Sequence, residues 1–433
     1  MRTKVSTILL VLVIAFACRP NHPSNEYFAD IKGQKIPIIR LDLVKDSATV
    51  IPLSTLFEDV EIIPLETRPE CLIGYSTNFM TDHSILIGVR NRAAPIRLYE
   101  FDLKGKFISE LGGVGKGPGE HQGYMMGPVI FYPEDGSVLA SFAGTGDEDL
   151  LYDREGRFVK AIKPAWDMGG SIYRLDDDLF MSAGVISGTP KFKRDSFQII
   201  FHRSDGEWVK SFPRKNYPDE KSTGYSWKGT SSMWRYSNAW RLLSTGNDTV
   251  YGVTDKTLSP VALINFGQKY FRYNETFNPQ TEVGHYNVKI LRETDRFLYF
   301  QKEYLYKLEA EEWRPGNWTS TSYYDYSLII SDKEKGIGYN IRFKDDFLGI
   351  LQPEKHGLDC SFGEFGPPYR IVQAFQVLEW ISEAKKDKNL PTAAKERILK
   401  LEQILNENSN PVMFLFKQRT DKEISRRLSQ IID

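Results

Sequence analysis

Three stretches of this chain repeat one another at nearly constant spacing, and this repeat restricts the available folds more than any other feature. They are "LYEFDLKGKFISEL" ending at Leu111, "LLYDREGRFVKAI" ending at Ile162 and "IIFHRSDGEWVKSF" ending at Phe212. Each reads as an apolar strand, a polar turn with glycine, an aromatic residue two places later and a second apolar strand. The turn glycines Gly105, Gly156 and Gly206 are 51 and 50 residues apart, and Lys256 stands another 50 residues on in "VYGVTDKTLSPVALINF". The later stretches "YLYKL" from Tyr304 and "YSLIISDKEKGIGYNIRF" from Tyr326 keep the arrangement of strand, charged turn and strand. A period near 50 with several short strands per unit is that of a β-propeller, whose four-stranded sheets bury their faces against neighbouring blades. Residues 57 to 365 have room for roughly six units of that length.

The stretch "GGVGKGPGE", Gly112 to Glu120, resembles a phosphate-binding loop at first sight. A P-loop needs G-x-x-x-x-G-K-[ST], but Lys116 is followed by Gly117; the dinucleotide pattern G-x-G-x-x-G fails because Pro118 stands third after Gly115. Pro118-Gly119 suits a type II turn, with proline fixing φ at the second position and glycine accepting positive φ at the third. The run is therefore read as an interblade crossover whose glycines allow tight passage of backbone near the ring axis.

The N-terminus has the three parts of a secretory signal: basic "MRTK", apolar "VSTILLVLVIAFA" and small residues just before Cys18. That is the pattern of a bacterial lipoprotein, with the signal at 1–17 and a lipidated thiol at Cys18. The apolar run is shorter than the ~20 residues that span a bilayer. Residues 18–35, with Pro20 and Pro23 and no apolar period, read as lipidated cysteine and flexible tether, and 36–433 as the propeller. A formal charge of −1 argues against a nucleic-acid partner. For Cys71 and Cys360 two arrangements are open: a disulfide linking early and late parts of the ring, or two separate buried thiols.

The C-terminal region departs from the repeat. "YRIVQAFQVLEWISEAKK" and "TAAKERILKLEQILNEN" carry apolar residues at helical spacing, and "NPVMFLFKQR" returns to strand character. The reading is a helical insertion at about 368–408 before a closing strand at about 411–418, with the early "VEIIPLET", Val60 to Thr67, pairing beside that strand to close the ring.

"VEIIPLET" followed by "LIG", then "FDLKGKFISELGGVGKGPGE", "NDTVYGV…LINFG" and "ENSNPVMFLFK" resemble, in that order, the six-bladed β-propeller lipoproteins of uncharacterised function in bacteria, whose turns are like those of NHL-repeat propellers. The resemblance covers most of the chain after residue 55. It implies an all-β, six-bladed propeller with the helical segment inserted before the ring-closing strand. His121 stands where an aromatic commonly follows "PGE".

No catalytic motif is present: G-x-S-x-G and H-E-x-x-H are absent, and the six histidines are scattered. Asp147-Glu148-Asp149 and Asp176-Asp177-Asp178 are Ca²⁺-ligand types without EF-hand spacing, and read as solvated turns. Aromatics with polar tips gather in Asn216 to Arg241, where Trp227, Trp234, Tyr236 and Trp240 are the candidate ligand-binding residues. "EWRPGNWTSTSYYDY", Glu312 to Tyr326, adds more. The preferred reading is a non-catalytic, monomeric binding propeller, anchored by lipid and facing the periplasm, for a glycan, peptide or envelope protein. It needs no cofactor. The alternative, from fold analogy alone, is a lactonase- or lyase-like enzyme with Ca²⁺ or another divalent ion at the axis.

Overall fold

The structure, a computed structural model, describes residues 28–31, 33–90, 96–121, 124–143, 148–165, 171–183, 197–213, 232–237, 239–243, 247–254, 256–270, 283–310, 320–351, 366–388 and 390–432. Its strands form six separate sheets. The N-terminal segment supplies β1 (Phe28–Ile31), β2 (Gln34–Arg40), β3 (Thr49–Pro52) and β4 (Phe57–Pro64). Blade one follows as β5 (Tyr75–Met80), β6 (Ser84–Arg90), β7 (Arg97–Asp102) and β8 (Phe107–Leu111). Blade two is β9 (Tyr124–Tyr132), β10 (Ser137–Ala143), β11 (Asp149–Tyr152) and β12 (Phe158–Ile162). Blade three is β13 (Ser171–Asp176), β14 (Leu179–Ala183), β15 (Phe197–His202) and β16 (Trp208–Pro213). Blade four is β17 (Ser232–Tyr236), β18 (Ala239–Leu243), β19 (Thr249–Thr254) and β20 (Thr257–Asn265). Blade five is β21 (Tyr286–Glu293), β22 (Phe297–Ala310), β23 (Ser320–Asp332) and β24 (Ile337–Lys344). Blade six joins β25 (Tyr369–Val372) and β26 (Val412–Gln418) to β4.

The strands of each blade pair in simple antiparallel order, and first strands of neighbouring units touch, β9 with β13 and β17 with β21. Apolar side chains fill the spaces between sheets. Leu86 and Leu98 of blade one pack with Val129 and Phe131 of blade two. Leu139 and Tyr173 link blades two and three, which continue to Trp240 of blade four. Ile264 and Phe300 join blades four and five, Tyr299 and Phe414 join five and six, and Met413 and Ile85 join six and one. The burial is continuous around the ring, as a sheet that cannot cover its own faces requires.

The repeat seen in sequence is a repeat of turns. Gly105, Gly156 and Gly206 take φ of 83°, 76° and 89° at the tips of the β7–β8, β11–β12 and β15–β16 hairpins, a region costly for any residue with a Cβ. Asp102 Oδ1 accepts the N–H groups of Lys104 and Lys106 at 2.8 Å each, and Asp153 Oδ1 holds Glu155 and Arg157 in the same way. Lys256, in the unit without the glycine, takes φ 60°. The tips also clasp the chain beside them: Glu66 donates its N–H to Gly105 O at 2.7 Å, and Lys163 to Ser204 O at 2.8 Å.

The glycine run connects β8 to β9. Glu120 N–H donates to Gly117 O, with Pro118 and positive-φ Gly119 between them, so the type II turn is present. The close approach that requires glycine lies elsewhere than expected. It is made to the outer half of blade two, where Tyr152 OH donates to Gly119 O at 2.9 Å and a Cβ on Gly119 would lie 2.4 Å from Phe158 Cβ. The crossover is a clip onto the third and fourth strands of the next blade. His121, at its end, is fully buried.

The ring closes through β4 and β26, with Val412 opposite Pro64 and Phe416 opposite Val60. The N-terminal segment does more than close it. β2 pairs in parallel with β20, Ile38 opposite Leu263, and β3 with β24, Phe343 opposite Ile51. The segment thus runs along the outer edges of blades four and five before it becomes the outer strand of blade six, covering edges that would otherwise offer unpaired N–H and C=O groups. β1 folds back on β2 as a hairpin, so strand structure begins at Phe28, inside the part read from sequence as tether.

The helical insertion consists of α1 (Ala374–Ala384) and α2 (Thr392–Ile404), between β25 and β26. It starts later than the sequence reading placed it, because Tyr369–Val372 pairs with β26 as a strand. A further helix that the sequence reading did not foresee, α3 (Asp421–Ile432), follows β26. All three bury apolar faces in the core of blades five and six through Val377, Ile381, Ile398, Ile424 and Leu428. Asp421, the first residue of α3, accepts hydrogen bonds from Thr294 Oγ1 at 2.7 Å and Arg296 N–H at 3.1 Å on the blade-five turn.

Candidate functional site

The N-terminal strap and the seam between blades four and five enclose a pocket of about 750 Å³. Three distant pieces of sequence build it: Leu41 to Asp46 of the strap, Asn265 to Lys269 after β20, and Tyr286, Lys302 and Ile329 from β21, β22 and β23. The strap is fixed in place by Asn340, whose Nδ2 donates to Lys45 O at 3.0 Å and Asp46 O at 2.8 Å. Arg40 pairs with Asp42 at 2.8 Å at the strap's entry. Opposite, Tyr286 OH donates to Phe266 O, and Phe266 stacks on Tyr270 with ring centroids 3.9 Å apart. The pocket is open to one side, with a polar rim in front of aromatic and aliphatic residues that are largely buried.

Charge is concentrated at one end. Lys269 Nζ donates to Asp46 Oδ2, and Lys302 Nζ lies 3.8 Å from Asp46 Oδ1 and 4.8 Å from the centroid of the Tyr286 ring. Lys302 is only 7% exposed. Burial pushes its ammonium below the ordinary lysine range; Asp46 opposes this shift and Lys269 adds to it. Hydrogen bonding from Lys269 holds the Asp46 carboxyl below its usual value, and the same bond raises Lys269. Asp46 therefore serves two cations, one at hydrogen-bond distance and one beyond it. No motif marks these residues in sequence, because each belongs to a different segment.

The aromatic candidates lie on β17 and β18, at the far end of the sheet from the strap-paired β20. Trp234 and Trp240 are 2% and 3% exposed, so their rings are interblade packing and offer no open stacking face. Trp234 Nε1 donates to Glu293 Oε2 at 2.9 Å. Trp240 meets Tyr173 edge-on at 4.7 Å. Tyr236 is half-buried; its OH donates to Asp295 at 3.0 Å, and Lys333 and Arg241 lie over its ring at 4.7 and 5.2 Å. Glu293, paired with Lys333 at 3.0 Å and Arg241 at 3.7 Å, makes this a tightly bonded charged seam. Trp234 stands opposite Arg241 and Trp240 opposite Arg235, so the two rings fall on opposite faces of the sheet, Trp234 toward blade five and Trp240 toward blade three. Trp227, like Cys18 and Cys360, lies outside the described residues.

The acidic clusters have structural work. Asp178 Oδ1 accepts Ser204 Oγ at 2.5 Å and Ser204 N–H at 3.1 Å, tying two turns of blade three. Asp149 is no solvated turn residue: it sits in β11 opposite Ser141, 5% exposed, and burial pushes its carboxyl up to about 7. Among the described residues no group of three or more His, Cys, Asp or Glu is placed to hold a metal ion. Cys71 is buried, with Sγ 3.4 Å from Glu66 O, and burial raises its thiol pKa. Among the described residues no helix is long and apolar enough to cross a membrane.

A family model described as "Domain of unknown function (DUF4934)" matches residues 36–417. The chain belongs to the DUF4934 family. No curated protein matches it. The DUF4934 chain is similar to a solved structure described as a "Putative exported protein" from Bacteroides fragilis, with a TM-score of 0.59 and 14% identity over 88% of this chain and all of that one. It is also similar to a member of the DUF4221 family from Bacteroides vulgatus, with a TM-score of 0.46 and 13% identity over 84% of this chain and 98% of that one. At these identities the first likeness speaks for the fold. For this DUF4934 member the functional reading rests on its own pocket.

Proposed function

We propose that this DUF4934 chain is a lipid-anchored binding propeller of the bacterial envelope, non-catalytic and monomeric, that holds its ligand in the pocket between blades four and five. The observation that carries the reading is the pocket itself: about 750 Å³, with largely buried Phe266, Tyr286 and Ile329 behind its rim and a charged end at Asp46, Lys269 and Lys302. The signal pattern before Cys18 supports the anchor, and the lack of an early acidic run after Cys18 favours the periplasmic face. The fold-level likeness to an exported Bacteroides protein agrees with export. The ligand is a glycan, a peptide or a segment of a partner protein.

Two experiments test it. Replacing Cys18 with alanine should move the protein from the membrane fraction to the soluble fraction of cells, and retention in the membrane would reject the lipid anchor. The purified domain, residues 19–433, should gain thermal stability with some members of a glycan and peptide library. The gain should vanish in Gln268→Trp, which sets a bulky ring on the exposed rim of the pocket. A library without a single stabilising member, or hits that ignore the filled pocket, would reject the binding role assigned to this site.

A further inference from the structure

Lys302 is a buried lysine whose ammonium has three donors. Among the described residues the nearest carboxylate oxygen to its Nζ is that of Asp46 at 3.8 Å, and no acceptor stands within hydrogen-bond distance. The Lys302 stem is buried while its ammonium borders the pocket, where an anionic group can reach it. Lys269 sits across the same carboxylate. The side chains of Asp46 and Lys269 are 63% and 60% exposed, so the carboxylate can be displaced while the Asp46 backbone stays held by Asn340, and of the two cations only Lys302 is fixed by burial. The rest of the rim carries the side-chain amides of Asn265 and Gln268 and the carboxylate of Asp42, which Arg40 pairs, in front of the largely buried Phe266, Tyr286 and Ile329. The exposed amides are partners for hydroxyl groups, so the rim suits a small hydroxylated anion.

We infer that Lys269 and Lys302 form a carboxylate subsite, with Asp46 as the internal stand-in, and that the pocket takes an acidic monosaccharide whose carboxylate displaces Asp46 from between the two lysines. This inference rests on the proposed pocket and adds the chemical class of its ligand. The two ammoniums supply the charge recognition, Lys302 gains the short hydrogen bond it lacks, and the amides meet the ring hydroxyls. A neutral sugar leaves Lys302 as it is, and so gains little.

Calorimetric titration of the domain with D-glucuronate, D-glucose and inorganic phosphate tests it. Glucuronate should bind at least about tenfold more tightly than glucose, since removing one partner of a buried charge pair costs that much or more. Lys302→Met should lose that advantage and Lys302→Arg should keep most of it. Asp46→Asn should strengthen glucuronate binding several-fold. Because Asp46 is exposed, that variant decides the matter even where Lys302→Met fails to fold. Equal binding of glucuronate and glucose, no effect of Asp46→Asn, or preference for phosphate over glucuronate would each overturn the inference. The broader binding role would survive those results if other library members still stabilise the protein and Gln268→Trp still abolishes the effect.

Discussion

Phe416 of β26 stands opposite Val60 of β4, and both are fully buried, with the Phe416 ring 4.9 Å from that of Phe57. This pairing joins the two ends of the described chain and holds the last blade together. Truncating Phe416 to alanine should therefore cost about 3–5 kcal/mol, the range for a large aromatic removed from a core. Ile431→Ala, on the exposed side of α3, should stay within about 0.5 kcal/mol. Urea unfolding monitored by tryptophan fluorescence measures both, and equal effects would contradict the closure.

The glycine run makes a graded prediction. Gly113 and Gly119 both have positive φ, but a Cβ on Gly113 meets nothing within 4 Å, whereas one on Gly119 meets Phe158 Cβ at 2.4 Å. Gly113→Ala should cost about 1–2 kcal/mol, from backbone strain alone. Gly119→Ala should cost more, because the clip must also back away from blade two and loosen the Tyr152 hydrogen bond. Thermal melts of the two variants would show the order; a Gly113 effect equal to or larger than that of Gly119 would count against the packing described.

Lys256 provides the reverse case. It holds φ 60° where three sister turns have glycine. Lys256→Gly removes about 1–2 kcal/mol of left-handed strain and adds about 0.5–1 kcal/mol of unfolded-state entropy. The net expectation is a gain of up to about 1.5 kcal/mol, read as a higher denaturation midpoint. A fall in the midpoint would mean that the lysine side chain has a role of its own.

Asp149 makes stability depend on pH. Its folded carboxyl titrates at about 7, above the unfolded value of 3.8, because burial disfavours the anion while Ser141 only partly compensates. The folded state thus holds the proton more tightly. Its stability contribution is complete below pH 3.8 and is lost as pH rises toward about 7, by an upper bound on the order of 4 kcal/mol. Asp149→Asn should flatten that part of the profile and exceed the parent protein in stability at pH 8. Chemical denaturation at several pH values between 5 and 8 measures it, and parallel profiles for the two proteins would refute the assignment.

The ring was legible because its signal is local and repeated: a strand, an Asx-supported turn and a glycine at Gly105, Gly156 and Gly206. Val60 to Thr67 could be matched to the late strand because both are short apolar runs bounded by turn residues. The strap could not be read in this way. Its parallel pairing of Ile38 with Leu263 and of Ile51 with Phe343 joins residues far apart in sequence, and β1 to β3 are short and partly polar. α3 was missed since Ile424 and Leu428 give only a narrow apolar stripe on a charged helix. The tryptophans of blade four were visible as residue types, but their burial depends on which strand phase faces a neighbouring blade. Lys302, Lys269 and Asp46 meet only after the strap crosses the seam, so nothing in one dimension connects them.

The most direct measurement is hydrogen–deuterium exchange of the 19–433 domain with and without the strongest stabiliser from the glycan and peptide screen. The account predicts slower exchange in Leu41 to Asp46, in Asn265 to Lys269 and around Tyr286, with the Trp234 and Tyr236 seam unchanged. Protection that appears at that seam or elsewhere on the ring, while the strap and the end of β20 exchange as before, would contradict the placement of the binding site beneath the strap.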